Sequence, residues 1–141
     1  MLATTTPHLA NALSVLRISL HVLAATIWIG GQFVVAGLLP TVRTFGEDAP
    51  RKIAKAFGRL SWPAYALLII TGIWNVTSLD TAHASSTWNM VFGIKMTFVL
   101  LAGLGAFLHT RAKTAQARGI FAGIGLLSSI VAMALGVAVA G

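Results

Sequence analysis

Residues 119–140 read GIFAGIGLLSSIVAMALGVAVA, an apolar run without one charged side chain. Its length matches the about 20 residues a helix needs to cross the roughly 30 Å hydrocarbon core of a bilayer. A buried strand would be much shorter, and a surface helix would show a polar face. Three runs of the same kind precede it, at roughly 14–39, 60–79 and 90–110, with their most apolar parts at Ile18–Leu39, Leu60–Leu79 and Met90–His109. The expected fold class is an all-α integral membrane protein, a single four-transmembrane-helix bundle over residues 1–141. Pro40 is expected to follow the first span, Ser61, Trp62 and Pro63 to open the second, and the polar stretch Ser78 to Asn89 to turn the chain. Trp62, Trp74 and Trp88 fall near expected span ends, where amphipathic rings favour the headgroup region.

Composition agrees. Of 141 residues, 57% are hydrophobic and 9% charged, with mean hydropathy +0.86, against about 25% charged in a soluble domain. With no cysteine, disulfides, thiolate metal sites and thiol nucleophiles are excluded. The net charge of +7 does not point to nucleic acid, because the basic residues sit in short connectors rather than on one face of a soluble fold. Arg43, Arg51, Lys52, Lys55 and Arg59 lie between the first two runs, and Arg111, Lys113 and Arg118 between the last two; the middle connector has none. Cytoplasmic loops retain such residues. Loops 40–59 and 110–118 are therefore expected in the cytoplasm and both termini outside, with the chain integral to the plasma membrane and touching anionic lipid. The first run is too long, and lacks the small-residue end, for a cleaved signal peptide.

In the fourth run Ser128, Ala132, Gly136 and Ala140 recur every fourth residue, and Gly119 and Gly123 repeat the spacing. Small residues on one stripe let helix backbones approach closely. The stripe is expected to meet another helix of the same chain, with a homo-oligomer as the alternative.

Polar groups inside spans are costly and usually face the bundle interior. They are His21, Gln32, Asn75, Lys95 and His109. Counting about 1.5 Å per residue, His21, Asn75, Lys95 and Met133 are expected in one layer of the outer half, each from a different helix. Arg17, His21 and Trp28 share a face of the first helix by i, i+4 and later i+7 spacing. His109 lies about 20 Å deeper, so the two histidines cannot hold one metal ion. Three readings of the layer follow. In the structural one, His21 hydrogen-bonds a neighbouring helix, Lys95 snorkels to the headgroups and Met133 packs. In the haem reading, His21 is an axial ligand opposite Met133 or Lys95, and Arg17 and Lys95 are otherwise available to propionates. In the copper reading, His21 joins Met90, Met96 or Met133, against the repulsion of a protonated Lys95.

The string from His21 through Trp28 to Gly30 and Gly31 resembles the opening helix of the copper-resistance D (CopD) family. Phe57-Gly-Arg-Leu with Thr71-Gly-Ile resembles its next helix, and Phe92-Gly-Ile-Lys95 the start of its third. Together these matches span about three quarters of the chain, carried by order and spacing. The histidine-to-tryptophan spacing and the third-helix lysine also resemble the HemJ-type membrane protoporphyrinogen oxidases. That resemblance implies a b-type haem with His21 and Lys95 at the matching positions, and a quinone, porphyrin or redox protein as partner. The aromatic and Tyr-His continuation of that family is missing from Gln32 to Arg43. The CopD resemblance implies copper transport or resistance, for which His8 and His83 would be outer ligands. A third expectation is a noncatalytic accessory subunit of a larger membrane complex.

Other chemistry finds little footing. Glu47 and Asp48 lie across the membrane from Asp80, so no carboxylate pair converges. Ser128 and Ser129 have no histidine at their depth, no glycine-rich loop follows a strand, and no acidic ring lines the spans.

Overall fold

The computed structural model describes residues 9–140, and among them there is no strand. Four helices are each long and apolar enough to cross a membrane: α1, Ala12–Arg43; α2, Ala49–Thr77; α3, Ser86–Arg111; α4, Ala115–Ala140. A 3-10 turn, Thr81–His83, links α2 to α3.

Side-chain caps set where the helices begin. Asn11 Oδ1 accepts from the Ser14 amide at 2.8 Å, Ser85 Oγ from the Trp88 amide at 3.1 Å, and Thr114 Oγ1 from the Ala117 amide at 3.2 Å. Each satisfies a backbone N–H that the first helical turn leaves without a partner. Pro50 stands in the first turn of α2, where a missing N–H costs nothing.

The helices outrun the expected spans, and α2 does so most. It starts eleven residues before the expected Leu60, so Pro63 lies inside it, as Pro40 lies inside α1. Membrane helices accommodate such prolines by local adjustment. The connector between α1 and α2 shrinks to residues 44–48, where Gly46 takes φ 118°, a left-handed conformation open to glycine. Arg51, Lys52, Lys55 and Arg59 consequently stand exposed on the opening turns of α2 rather than in a loop. Trp62 is likewise inside α2, against Trp28 and Tyr65.

Two hairpins make the bundle, α1 against α2 and α3 against α4, with few contacts from one hairpin to the other. The tightest approach is between α3 and α4. A Cβ placed on Gly105 would fall 2.7 Å from the backbone nitrogen of Gly125 and 2.8 Å from its Cα, so the helices touch backbone to backbone. Ser128, Ser129 and Ala132 of α4 are buried beside this crossing. The middle of the small-residue stripe is thus used within the chain, while Gly119 and Gly123 have open space beside them.

A test follows from that crossing. Gly105→Ala should lower stability by about 1–3 kcal/mol, the usual cost of overpacking, whereas Gly119→Ala should leave it unchanged or slightly raised. Unfolding in mixed micelles measures both, and equal effects would contradict the close approach.

Candidate ligand site in the seam between the hairpins

The site is built on a local departure in α1. Residues Thr26–Gly30 form a π-helical turn in the middle of the helix. Such a turn widens the backbone and re-aims its side chains. Gln32 Nε2 donates to the Trp28 carbonyl at 2.8 Å, giving that oxygen a partner where the regular ladder is disturbed. Trp28 is 4% exposed. Its ring packs at 4.5 Å from Tyr65 and 5.8 Å, edge-on, from Trp62. Its Nε1–H reaches across the seam and donates to Ser129 Oγ at 3.0 Å. The Tyr65 hydroxyl makes the second bridge, donating to the Val99 carbonyl at 2.8 Å. These aromatic residues form the floor of the seam.

Two turns from Trp28 toward the amino-terminal end of α1 stands His21, half-buried, on the stripe that also carries Arg17 and the fully buried Ala24. Its Nδ1 lies 2.8 Å from Thr71 Oγ1. The Thr71 hydroxyl is 2.6 Å from the Leu67 carbonyl, which can only accept, so its one proton is spent there. Thr71 Oγ1 therefore accepts from His21, and the proton of the neutral imidazole sits on Nδ1. The lone pair of Nε2 is left for another partner. Gly72 lies alongside, with room for a Cβ at 3.6 Å from His21 Cε1.

Lys95 enters the same layer from the other hairpin. The contact of Trp28 with Ser129 sets the register of α1 on α4, and two turns farther along each helix His21 comes level with Gly136. Lys95 Nζ lies 3.5 Å from where a Cβ of Gly136 would be. Through Gly136, Lys95 comes level with His21. Arg17 stands one turn above His21, half-buried, with its Nε out of contact with solvent and without a hydrogen-bond partner.

The expected layer is thus assembled with two changes. Asn75 is half-buried one turn beyond Thr71 on α2, so the antiparallel register puts it level with Arg17 rather than His21. Met133 is 50% exposed and points out of the bundle, and Met90 is 60% exposed. The residues that occupy their places beside His21 and Lys95 are Thr71 and Gly136. Thr71 is 1% exposed, and its i, i+4 spacing to Asn75 was the signal that a polar face of α2 continues inward. Ser129, read as a packing residue, is the acceptor for Trp28.

The other histidines stand apart. His109 donates through Nδ1 to the Arg118 carbonyl at 2.9 Å, at the basic end of the bundle. His83 pairs with Asp80 at 2.9 Å on the exposed turn between α2 and α3. His8 lies outside the described residues. Among the described residues, no three of His, Cys, Asp and Glu gather around one point. Compared with protein-family models, curated proteins and solved structures, the chain has no match.

The bridge from Trp28 to Ser129 can be measured by a double-mutant cycle with Trp28→Phe and Ser129→Ala. A coupling of about 0.6–1.7 kcal/mol is expected for an interhelical hydrogen bond in a membrane protein. Strict additivity of the two losses would show that the bridge contributes nothing.

Proposed function

We propose that the seam binds a redox cofactor, b-type haem, through His21, for electron transfer or porphyrin-linked redox chemistry. The observation that supports this most is the hydrogen bond from His21 to Thr71. Histidines that ligate metals commonly donate their second ring N–H to a fixed acceptor, which sets the tautomer and the ring orientation. Thr71 performs that task here and leaves Nε2 as the ligand atom.

The surrounding residues fit such a group. Trp28 and Tyr65 close the seam below with aromatic surface. Lys95, next to Gly136 and level with His21, serves as second ligand or as partner of a propionate carboxylate. Bound haem would supply reversible one-electron chemistry at its iron, tuned by axial ligand and dryness of the pocket. Copper is the weaker reading. Met90 and Met133 are exposed, which leaves Met96 as the half-buried methionine of the three, and a protonated Lys95 would oppose a second cation. The resemblance to the CopD and HemJ-type families points to the same histidine and lysine.

Orientation completes the proposal. Eight of the ten Lys and Arg residues lie at the end of the bundle opposite His21, between Arg43 and Arg59 and between Arg111 and Arg118. By the bias of basic residues toward the cytoplasm, the His21 layer belongs to the outer half of a plasma-membrane protein. A quinone, a porphyrin or a redox protein would then exchange electrons there.

Absorbance of the gently purified protein from haem-supplied cells tests the reading. The wild type should show a b-type Soret band and a reduced-minus-oxidised α band. His21→Ala should lose both, and Thr71→Val should retain them in part, with Thr71→Ser close to wild type. A colourless wild type, or a band unchanged in His21→Ala, would remove the basis of the proposal.

A further inference from the structure

We infer that the seam also carries a receptor for an anionic headgroup, with Arg17 as its principal contact and Lys95 adding attraction one turn deeper. The ligand class is an amphiphile whose apolar body bears a carboxylate or a phosphate. This rests on the seam being a ligand site, but not on the ligand being haem.

The argument begins with charge balance. The whole sequence holds three acidic side chains, Glu47, Asp48 and Asp80. Glu47 and Asp48 belong to the connector at the basic end, the full length of α1 away from Arg17. Asp80 is on the same side as Arg17, but its carboxylate is held by His83 on the exposed turn, and its Oδ1 accepts from the Ala82 amide. Arg17 and Lys95 therefore have no acidic side chain to pair with.

Geometry supplies the second step. A cation placed at the rim of a span ordinarily extends its head into water. Arg17, half-buried, shares the interior stripe of α1 with His21, Ala24 and Trp28. Its Nε is hidden from solvent and lacks a partner. A guanidinium presents its donors as a planar fork that fits a carboxylate or phosphate oxygen pair. Asn75, level with it on α2, adds an amide capable of donating to the same anion. His21 and Lys95 below contribute no negative charge.

The test uses the full-length protein in a neutral detergent, with tryptophan fluorescence as the binding signal. Four probes are titrated: dodecanoate, methyl dodecanoate, short-chain phosphatidylglycerol and short-chain phosphatidylcholine. At least one anionic probe should bind more tightly than its neutral counterpart. Arg17→Gln should weaken that binding by about tenfold or more, the scale of a lost hydrogen bond to a charged group. Lys95→Gln should weaken it less, and Arg51→Gln at the basic end should not. Arg17→Lys, which keeps the charge without the fork, should fall between and covers the case in which Arg17→Gln does not fold. Preference for dodecanoate alone indicates carboxylates such as those of a tetrapyrrole; preference for phosphatidylglycerol alone indicates a bilayer phospholipid; either supports the receptor. Equal binding of charged and neutral probes, or full anion preference in Arg17→Gln, would overturn it. The Soret band recorded on the same samples keeps the two readings apart. Because bound propionates would occupy Arg17, the titrations use protein stripped of haem. Absence of anion preference there, with the band restored on adding haem, defeats only this inference, and a protein that takes up no haem but prefers anions defeats only the haem.

Discussion

Two hydroxyl groups that bend back on their own helices govern how this bundle is joined. Ser129 Oγ donates to the Gly125 carbonyl at 2.8 Å, and Thr71 Oγ1 donates to the Leu67 carbonyl at 2.6 Å. Once that proton is committed, each oxygen can only accept. Both residues are buried, so a donor must come from a neighbouring helix or a lone pair is wasted in an apolar setting. Trp28 supplies an indole N–H to Ser129, and His21 supplies its Nδ1–H to Thr71. The first bond ties hairpin to hairpin, and the second ties α1 to α2 within a hairpin. The same rule that glues the bundle also decides which nitrogen of His21 is free.

The unequal packing of the bundle follows from where glycine is placed. Gly105 and Gly125 bring α3 and α4 into backbone contact, which makes that hairpin tight along its length. The seam between hairpins has no such glycine pair. It is instead held apart by large rings, Trp28 and Tyr65, and bridged by their polar tips. A bundle built this way packs backbone to backbone between α3 and α4, and joins its hairpins through side chains.

How much could be read from the sequence differs between depth and direction. Depth was readable, because a helix rises by a fixed amount per residue; His21 and Lys95 do share a layer, and His109 is far from it. Direction around each helix was not, since apolar residues surround every span and leave no amphipathic stripe to orient it. Met133 and Gly136 differ by less than one turn, yet the first faces outward and the second faces Lys95. Span ends were misjudged for a related reason. Hydropathy marks where apolar residues stop, whereas a helix stops where its caps and turns are, and α2 continues through Arg59, Lys55 and Arg51 to Pro50. The π-helical turn at Thr26–Gly30 left no mark in the composition, although Gln32 four residues after Trp28 is the side chain that serves it.

The scarcity of acidic residues gives the site its character. In a bundle with internal carboxylates, Arg17 and Lys95 would be neutralised in place and serve as structural ion pairs. Here each is half-buried without an acidic side chain to pair with. Such groups are expensive inside a membrane and persist where they are used. His21 lies one turn below Arg17, in the layer of Lys95, with the lone pair of its Nε2 free. A ligand that combines an electron-pair acceptor with negative charge at one edge answers both demands at once. On the proposal, a bare cation would be opposed by a protonated Lys95, and a neutral lipid chain would leave the Arg17 Nε without a partner.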